Sequence, residues 1–196
     1  WPRRDITFIG CDISKPAIDY AKDVGLIENG IVGNFEEDDI EAKDRKILEG
    51  VDLIISTGAI GYVSERTIRR LLNAIGKPAP WVASFVLRMF PFDRIETALH
   101  DAGLATEKLS GVTFVQRRFQ SQAEYMHVLD KLHELGVDPQ GKESAGLFHA
   151  EFFLSRPADA ARRYPLDEIA SIGQGMSRRF GRRFNRTEDG EILLVR

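Results

Sequence analysis

The chain has 196 residues, 43% of them hydrophobic and 29% charged, and a formal net charge of -3. That length fits one domain with a single sizeable core, and the acidic balance argues against a dedicated nucleic-acid binder, which normally carries a basic excess. One cysteine, Cys11, allows no disulfide framework, and no apolar run approaches the roughly 20 residues of a membrane helix, so a cytoplasmic protein is expected.

The first element is Ile6 to Ser14, which follows Trp1-Pro2-Arg3-Arg4 at once and without an initiator methionine. A piece of a longer chain is therefore expected. The segment reads as a buried strand that ends on an acid, Asp12. Ser14 then caps a helix whose Ala17, Ile18, Ala21 and Val24 share one face, and Gly25 closes it. An acid at the carboxyl end of a strand in an open α/β sheet can accept both hydroxyls of a ribose. Its other reading is a plain helix cap, since Asp and Ser both serve there.

Ile31 and Val32 make a short apolar segment that stops at Gly33-Asn34-Phe35, and the acidic run Glu36 to Glu41 reads as a solvated loop or helix start. Val51 to Gly58 is apolar on both faces and predicts a buried parallel strand. Ser64 starts a helix carrying Ile68, Leu71, Leu72 and Ile75, which closes at Gly76. Trp81 to Leu87 is a second buried strand, entered through Pro78 and Pro80. Phe92 to Ala102 is an amphipathic helix, closed by Gly103, with Ile95, Ala98, Leu99 and Ala102 inward.

Val112 to Phe119 then reads as a strand. Ser121 and Glu124 form a capping box for a long helix through Leu135, and a loop from Gly136 to Gly146 leads to a last strand, Phe148 to Ser155. Pro157 ends the regular region. The arginine-rich tail holds a possible helix, Pro165 to Met176, and a short strand, Glu191 to Val195, after the turn Asp189-Gly190. The expected organisation is a core over residues 1–157 and an extension over 158–196.

In this order the elements resemble a class I S-adenosylmethionine-dependent methyltransferase entered at its second strand, over about Ile6 to Pro157. Asp12-Ile13-Ser14 with Ala17, Ile18 and Ala21 is similar to the family's second-strand motif, whose acid holds the cofactor ribose. Gly33-Asn34-Phe35-Glu36 falls where the family recognises adenine. Asn34 stands for the usual aspartate and keeps an acceptor oxygen without the charge. Val51 to Gly58 matches the fourth strand, beside the methionine part of the cofactor. The closing run of strand, long helix and strand is similar to the family's antiparallel seventh strand.

The resemblance implies a Rossmann-like three-layer α/β sandwich with a mostly parallel sheet and an antiparallel last strand. It implies S-adenosylmethionine as cofactor, held by Asp12, Ile13, Asn34, Phe35, Thr57 and Gly58. The family's first strand and glycine-rich loop do not appear before Trp1. An incomplete catalytic unit is therefore expected, with a gap between two strands.

Methyl transfer from a sulfonium needs alignment more than a fixed catalytic group, and no Ser/His/Asp or Cys/His pattern stands out. The four histidines lack metal-ligand spacing. Tyr62, on the loop after the fourth strand, Arg88, after the fifth, and His149, a general-base candidate near neutral pKa, are the acceptor-side candidates. A surface ion pair is the plainer fate of Arg88, and a core aromatic that of Phe35. The pairs Arg117-Arg118, Arg162-Arg163, Arg178-Arg179 and Arg182-Arg183 read as a solvated face or a contact within a homo-oligomer. The methyl acceptor is expected to be a small molecule or a protein. The alternatives are a non-catalytic methyltransferase-like binding or assembly module and a nicotinamide-dependent oxidoreductase.

Overall fold

Local chemistry starts the helices where the side chains can cap them. The Ser14 hydroxyl accepts from the Ala17 N–H at 3.3 Å, Ser64 from Arg66 at 3.2 Å and Ser121 from Glu124 at 3.1 Å, each satisfying an orphan first-turn donor. The computed structural model describes residues 6–170, 183–186 and 192–195, the last two stretches as backbone.

The first half runs β1 (Ile9–Asp12), α1 (Lys15–Asp23), β2 (Asn29–Val32), α2 (Ala42–Leu48), β3 (Leu53–Thr57), α3 (Glu65–Ile75), β4 (Trp81–Leu87) and α4 (Asp93–Asp101). The second half runs β5 (Leu104–Lys108), β6 (Phe114–Arg118), α5 (Gln122–Glu134), β7 (Leu147–Pro157), α6 (Ala158–Arg163), α7 (Leu166–Ile169), β8 (Arg183–Arg186) and β9 (Ile192–Val195). The architecture is α/β, with both parallel and antiparallel pairs.

The strands fall into separate sheets. β1 pairs with β2 in parallel, from Ile9 opposite Asn29 to Asp12 opposite Val32. β3 pairs with β4 in parallel, from Leu53 opposite Trp81 to Thr57 opposite Phe85. β7 runs antiparallel to β4 along one edge and antiparallel to β6 and then β5 along the other. β5 and β6 thus lie end to end against one long strand, and β7 alone is reversed among β3 to β7. β8 and β9 form an antiparallel pair of their own.

The main core lies where α3 and α4 pack on β4. Ile68, Leu72, Val82, Val86, Ile95 and Leu99 are buried together there, as the 3.6-residue apolar spacing of the two helices requires. A second cluster joins Ile31 of β2 to Phe35, Ile40, Leu48 and Leu71, with Ile9 and Ile54 packed against it. That cluster holds the β1–β2 pair to the larger sheet. At the far end Arg156 is fully buried, bonded to the Glu107 carboxylate and the Tyr164 carbonyl and lying over the Trp81 ring. Leu166 donates its N–H to Glu107 at 2.9 Å, so α7 is seated on the same network.

Several expectations need correction. The strand at 51–58 is parallel but only half-buried, because β4 is its sole partner among the described strands and Ile55 is 59% exposed. The described strands β1 to β7 form a parallel β1–β2 pair and a five-stranded sheet with both parallel and antiparallel pairs, an α/β arrangement. The strand expected at 112–119 is the second half of a broken strand. Its first half, β5, escaped notice because Ala105, Glu107 and Lys108 are poor strand formers. A bulge at Gln116 shifts the register of β6. The expected helix Pro165 to Met176 is observed over Leu166–Ile169, and its remainder beyond residue 170 lies outside the described residues. No helix among the described residues is long and apolar enough to cross a membrane.

Candidate functional site

A cavity of about 1230 Å³ is lined by residues of β1, β3 and α3 and of the segments around them. At the carboxyl ends of the strands Asp12, Ile13, Asn34, Phe35, Thr57 and Tyr62 line it and form its mouth, and Phe8, Ile9, Leu53 and Ile55 line it farther back along β1 and β3. The chain therefore brings six of the expected site residues to one opening. Gly58, Arg88 and His149 are not among the lining residues.

Each wall has a local cause. The Asp12 Oδ1 accepts from the Ser14 N–H at 2.7 Å, an Asx turn that aims the strand end while Ser14, not Asp12, caps α1. The other carboxylate oxygen of Asp12 accepts no hydrogen bond from the described residues. The turn after β2 is closed by the Asn34 carbonyl, which accepts from Glu37 at 3.0 Å and Asp38 at 2.8 Å. The Asn34 Oδ1 accepts from the Glu36 N–H at 3.3 Å and keeps a second lone pair. Phe35 is buried in the second core cluster, its ring so close to Gly33 that a Cβ there would collide with it. Gly58 turns the chain out of β3 at a φ of 65°, and its N–H donates to the Phe85 carbonyl at 3.1 Å.

Glu36, expected in a solvated loop or helix start, holds the two sides of the mouth together. Its carboxylate accepts from the Ser64 N–H at 2.8 Å, the Ser64 hydroxyl at 2.6 Å and the Thr67 hydroxyl at 2.5 Å. Burial raises its pKa, but the bonds from Ser64 and Thr67 outweigh that and hold it below the usual 4.5. A carboxylate at the first turn of α3 also complements the helix dipole. The one available sequence signal was its place in Gly33-Asn34-Phe35-Glu36, directly after a strand.

Because Glu36 follows β2 and Ser64 follows β3, their contact puts the carboxyl ends of both strands on one side. Among the described residues the lining carries Asp12, Glu36, Glu49 and Asp52 and no lysine, arginine or histidine. Such a cavity suits a neutral or cationic ligand and opposes a phosphate-bearing one.

The other acceptor-side candidates are committed elsewhere. Arg88 donates to the Glu143 carboxylate at 2.6 Å and the Asp138 carbonyl at 2.8 Å. With side chains 8% and 1% exposed, this is a buried pair and not the expected surface one. Burial pushes the Glu143 carboxyl up, against the pull of Arg88. His149 is buried, its Nδ1 3.0 Å from the Thr113 hydroxyl and its Nε2 without a partner among the described residues. Burial, then the nearby Arg88 and Lys142, lowers its pKa. Glu151, its neighbour on β7, pairs with Lys108 at 2.7 Å.

No family model and no curated protein matches this chain. Among solved structures it is similar to the YcgJ protein of Bacillus subtilis, with a TM-score of 0.47 and 9% identity, over 76% of this chain and 81% of that one.

Proposed function

We propose that the chain is an S-adenosylmethionine-dependent methyltransferase with a Rossmann-like three-layer core, and that the mouth of the cavity holds the cofactor. The observation that carries this reading is the acid-lined, cation-free opening at the carboxyl ends of β1, β2 and β3, where Asp12 keeps a free carboxylate oxygen. Strand ends of this kind are where open α/β sheets bind ligands. Asp12 accepts the ribose hydroxyls, the second lone pair of Asn34 Oδ1 accepts from the adenine amino group, and the ring of Phe35 backs the base. Thr57, with Ile13 across the opening, borders the methionine side. Gly58, just outside the lining, sets the turn there.

The cofactor supplies an electrophilic methyl on a sulfonium. The chain's own residues bind, orient and exclude water, and alignment alone supplies about 7–11 kcal/mol of such a barrier. Tyr62, 85% exposed at the rim, faces the side from which a small-molecule or protein acceptor enters. The carboxylates of the lining favour a positively charged sulfonium and disfavour the pyrophosphate of a nicotinamide dinucleotide, which would meet no cation there. A second reading, a non-catalytic binding module of the same fold, is favoured by one observation: the open strand edges that flank the cavity.

Isothermal titration with S-adenosylhomocysteine and, separately, with NAD tests the ligand class. The expected result is saturable binding of the first and none of the second. NAD binding, or binding of neither, would overturn the proposal.

A further inference from the structure

The buried polar cluster of Arg88, Glu143 and His149 belongs neither to the cavity nor to its mouth. Arg88 donates its backbone N–H to the His149 carbonyl at 3.2 Å, so the two residues are neighbours across β4 and β7. The Arg88 guanidinium reaches the loop from Gly136 to Gly146, at the Glu143 carboxylate and the Asp138 carbonyl. The His149 N–H also bonds the Glu143 carboxylate. From Gly136 to Gly146 the one buried residue is Glu143, in the short 3-10 helix Glu143–Ala145. This loop is seated on the sheet by a charge, where most loops are seated by an apolar side chain. Its closure therefore depends on what that charge meets.

His149 is the member of the cluster that titrates near neutrality. Its ring faces the Thr113 hydroxyl, Arg88 from β4 and Lys142 from the loop. Glu151, farther along β7, is taken up by Lys108 of β5 at 2.7 Å, and Arg117 of β6 by Glu124 at 2.6 Å. Glu143, the buried carboxylate of the cluster, is already held by Arg88 at 2.6 Å. A proton on His149 thus adds a buried cation beside two others, with no acceptor for Nε2 among the described residues. Burial and those two cations hold its pKa below the usual 6.5.

We propose that His149 is an acid-operated latch for this loop: neutral, it lets Arg88 and Glu143 close the loop on the sheet, and protonated, it drives the loop open. Opening is inexpensive, because a loop that buries little apolar surface detaches locally without unfolding the rest. A histidine whose pKa is lower in the closed form than in the open one draws the loop open as pH falls below its ordinary value. The open fraction rises by up to about tenfold per pH unit and levels off once the closed form also takes up the proton. Ser144 and Gly146 form one wall of a second groove, of about 440 Å³, opposite Arg118, Gln120 and Tyr125. Acid therefore dismantles that groove, whether or not the mouth of the large cavity binds a cofactor.

Native-state hydrogen exchange tests the latch from pH 7.5 to 5, with rates corrected for intrinsic exchange. The amides of Lys142, Ser144, Ala145 and Gly146, each bonded within the loop, are followed beside those of β4 and α4. The loop amides are expected to be less protected than β4 and α4 at every pH, and to lose protection below 6.5. The loss ends where the His149 imidazole titrates, read separately by NMR on the unaltered chain. His149→Gln, which keeps an uncharged acceptor for the Thr113 hydroxyl, removes the pH dependence of the loop. Loop amides as protected as β4, protection that stays level with pH, or an imidazole that titrates at or above 6.5 would overturn the proposal. A loss that persists unchanged in His149→Gln would assign the titration to Glu143 and overturn it as well.

Discussion

Glu36 gives the sharpest test of how the mouth is built. Glu36→Ala removes three hydrogen bonds to an ionised carboxylate, from the Ser64 N–H, the Ser64 hydroxyl and the Thr67 hydroxyl. Bonds to charged groups are worth about 1.5–3 kcal/mol each, but Glu36 is half-buried, so water recovers part of the loss. A net cost of about 2–4 kcal/mol follows, or roughly 4–16 °C in Tm for a chain of this size. The carboxyl is held below its usual 4.5 because the bonds from Ser64 and Thr67 overcome the opposing effect of burial. A depressed acid stabilises the fold above its ordinary pKa, and that contribution is lost as pH falls through the native value. The gap between wild type and Glu36→Ala is therefore widest at neutral pH and narrows in acid below 4.5. Urea denaturation at pH 7 and at steps down to pH 3 measures both quantities. A cost under about 0.5 kcal/mol, in the range of a neutral surface change, or a gap that does not narrow with acid, would refute the reasoning.

Arg88→Met leaves the Glu143 carboxylate buried and unpaired, and should cost about 3–5 kcal/mol in urea denaturation; adding Glu143→Leu should restore part of the loss. Because the folded state disfavours protonated His149, its unfolded form binds protons more readily. Stability should then decline as pH drops below the ordinary 6.5, and His149→Gln should flatten that decline in thermal melts between pH 7 and 5. A Cβ at Gly30 would run into Ile18 of α1. Gly30→Ala should therefore cost about 1–3 kcal/mol by overpacking, read as a shift in denaturation midpoint.

The elements most legible in the sequence were those whose cause is local. Ser14, Ser64 and Ser121 announced their helices, and the spacing of Ile68, Leu71 and Leu72 gave the buried face of α3. β4 and β7 read well as runs of β-branched and aromatic residues. The antiparallel course of β7 was legible only through the resemblance, since direction depends on pairing partners far away in the chain. β5 was missed because its contacts with β7 hold Ala105, Glu107 and Lys108 extended against their own preference. The half-exposure of β3 was hidden for the converse reason. Leu53 to Thr57 has the composition of a strand covered on both faces, but only β4 pairs with it.

At the site, the meeting of Asp12, Asn34, Phe35 and Thr57 at one opening follows from strands that share a direction, which alternating strand and helix signals already suggested. The clamp from Glu36 to Ser64 and Thr67 joins residues about thirty positions apart, and no local pattern encodes it. Arg88 reads as a surface charge for the same reason: Glu143, its buried partner, lies in a short 3-10 helix 55 positions away.

The central claim is that the free carboxylate oxygen of Asp12 holds a ribose. Titration calorimetry of S-adenosylhomocysteine into the chain and into Asp12→Ala tests it most directly. Loss of hydrogen bonds to a charged acceptor, about 1.5–3 kcal/mol each, predicts saturable binding by the chain that weakens at least tenfold in the variant. Equal affinity in the two proteins, or no binding by either, would contradict it.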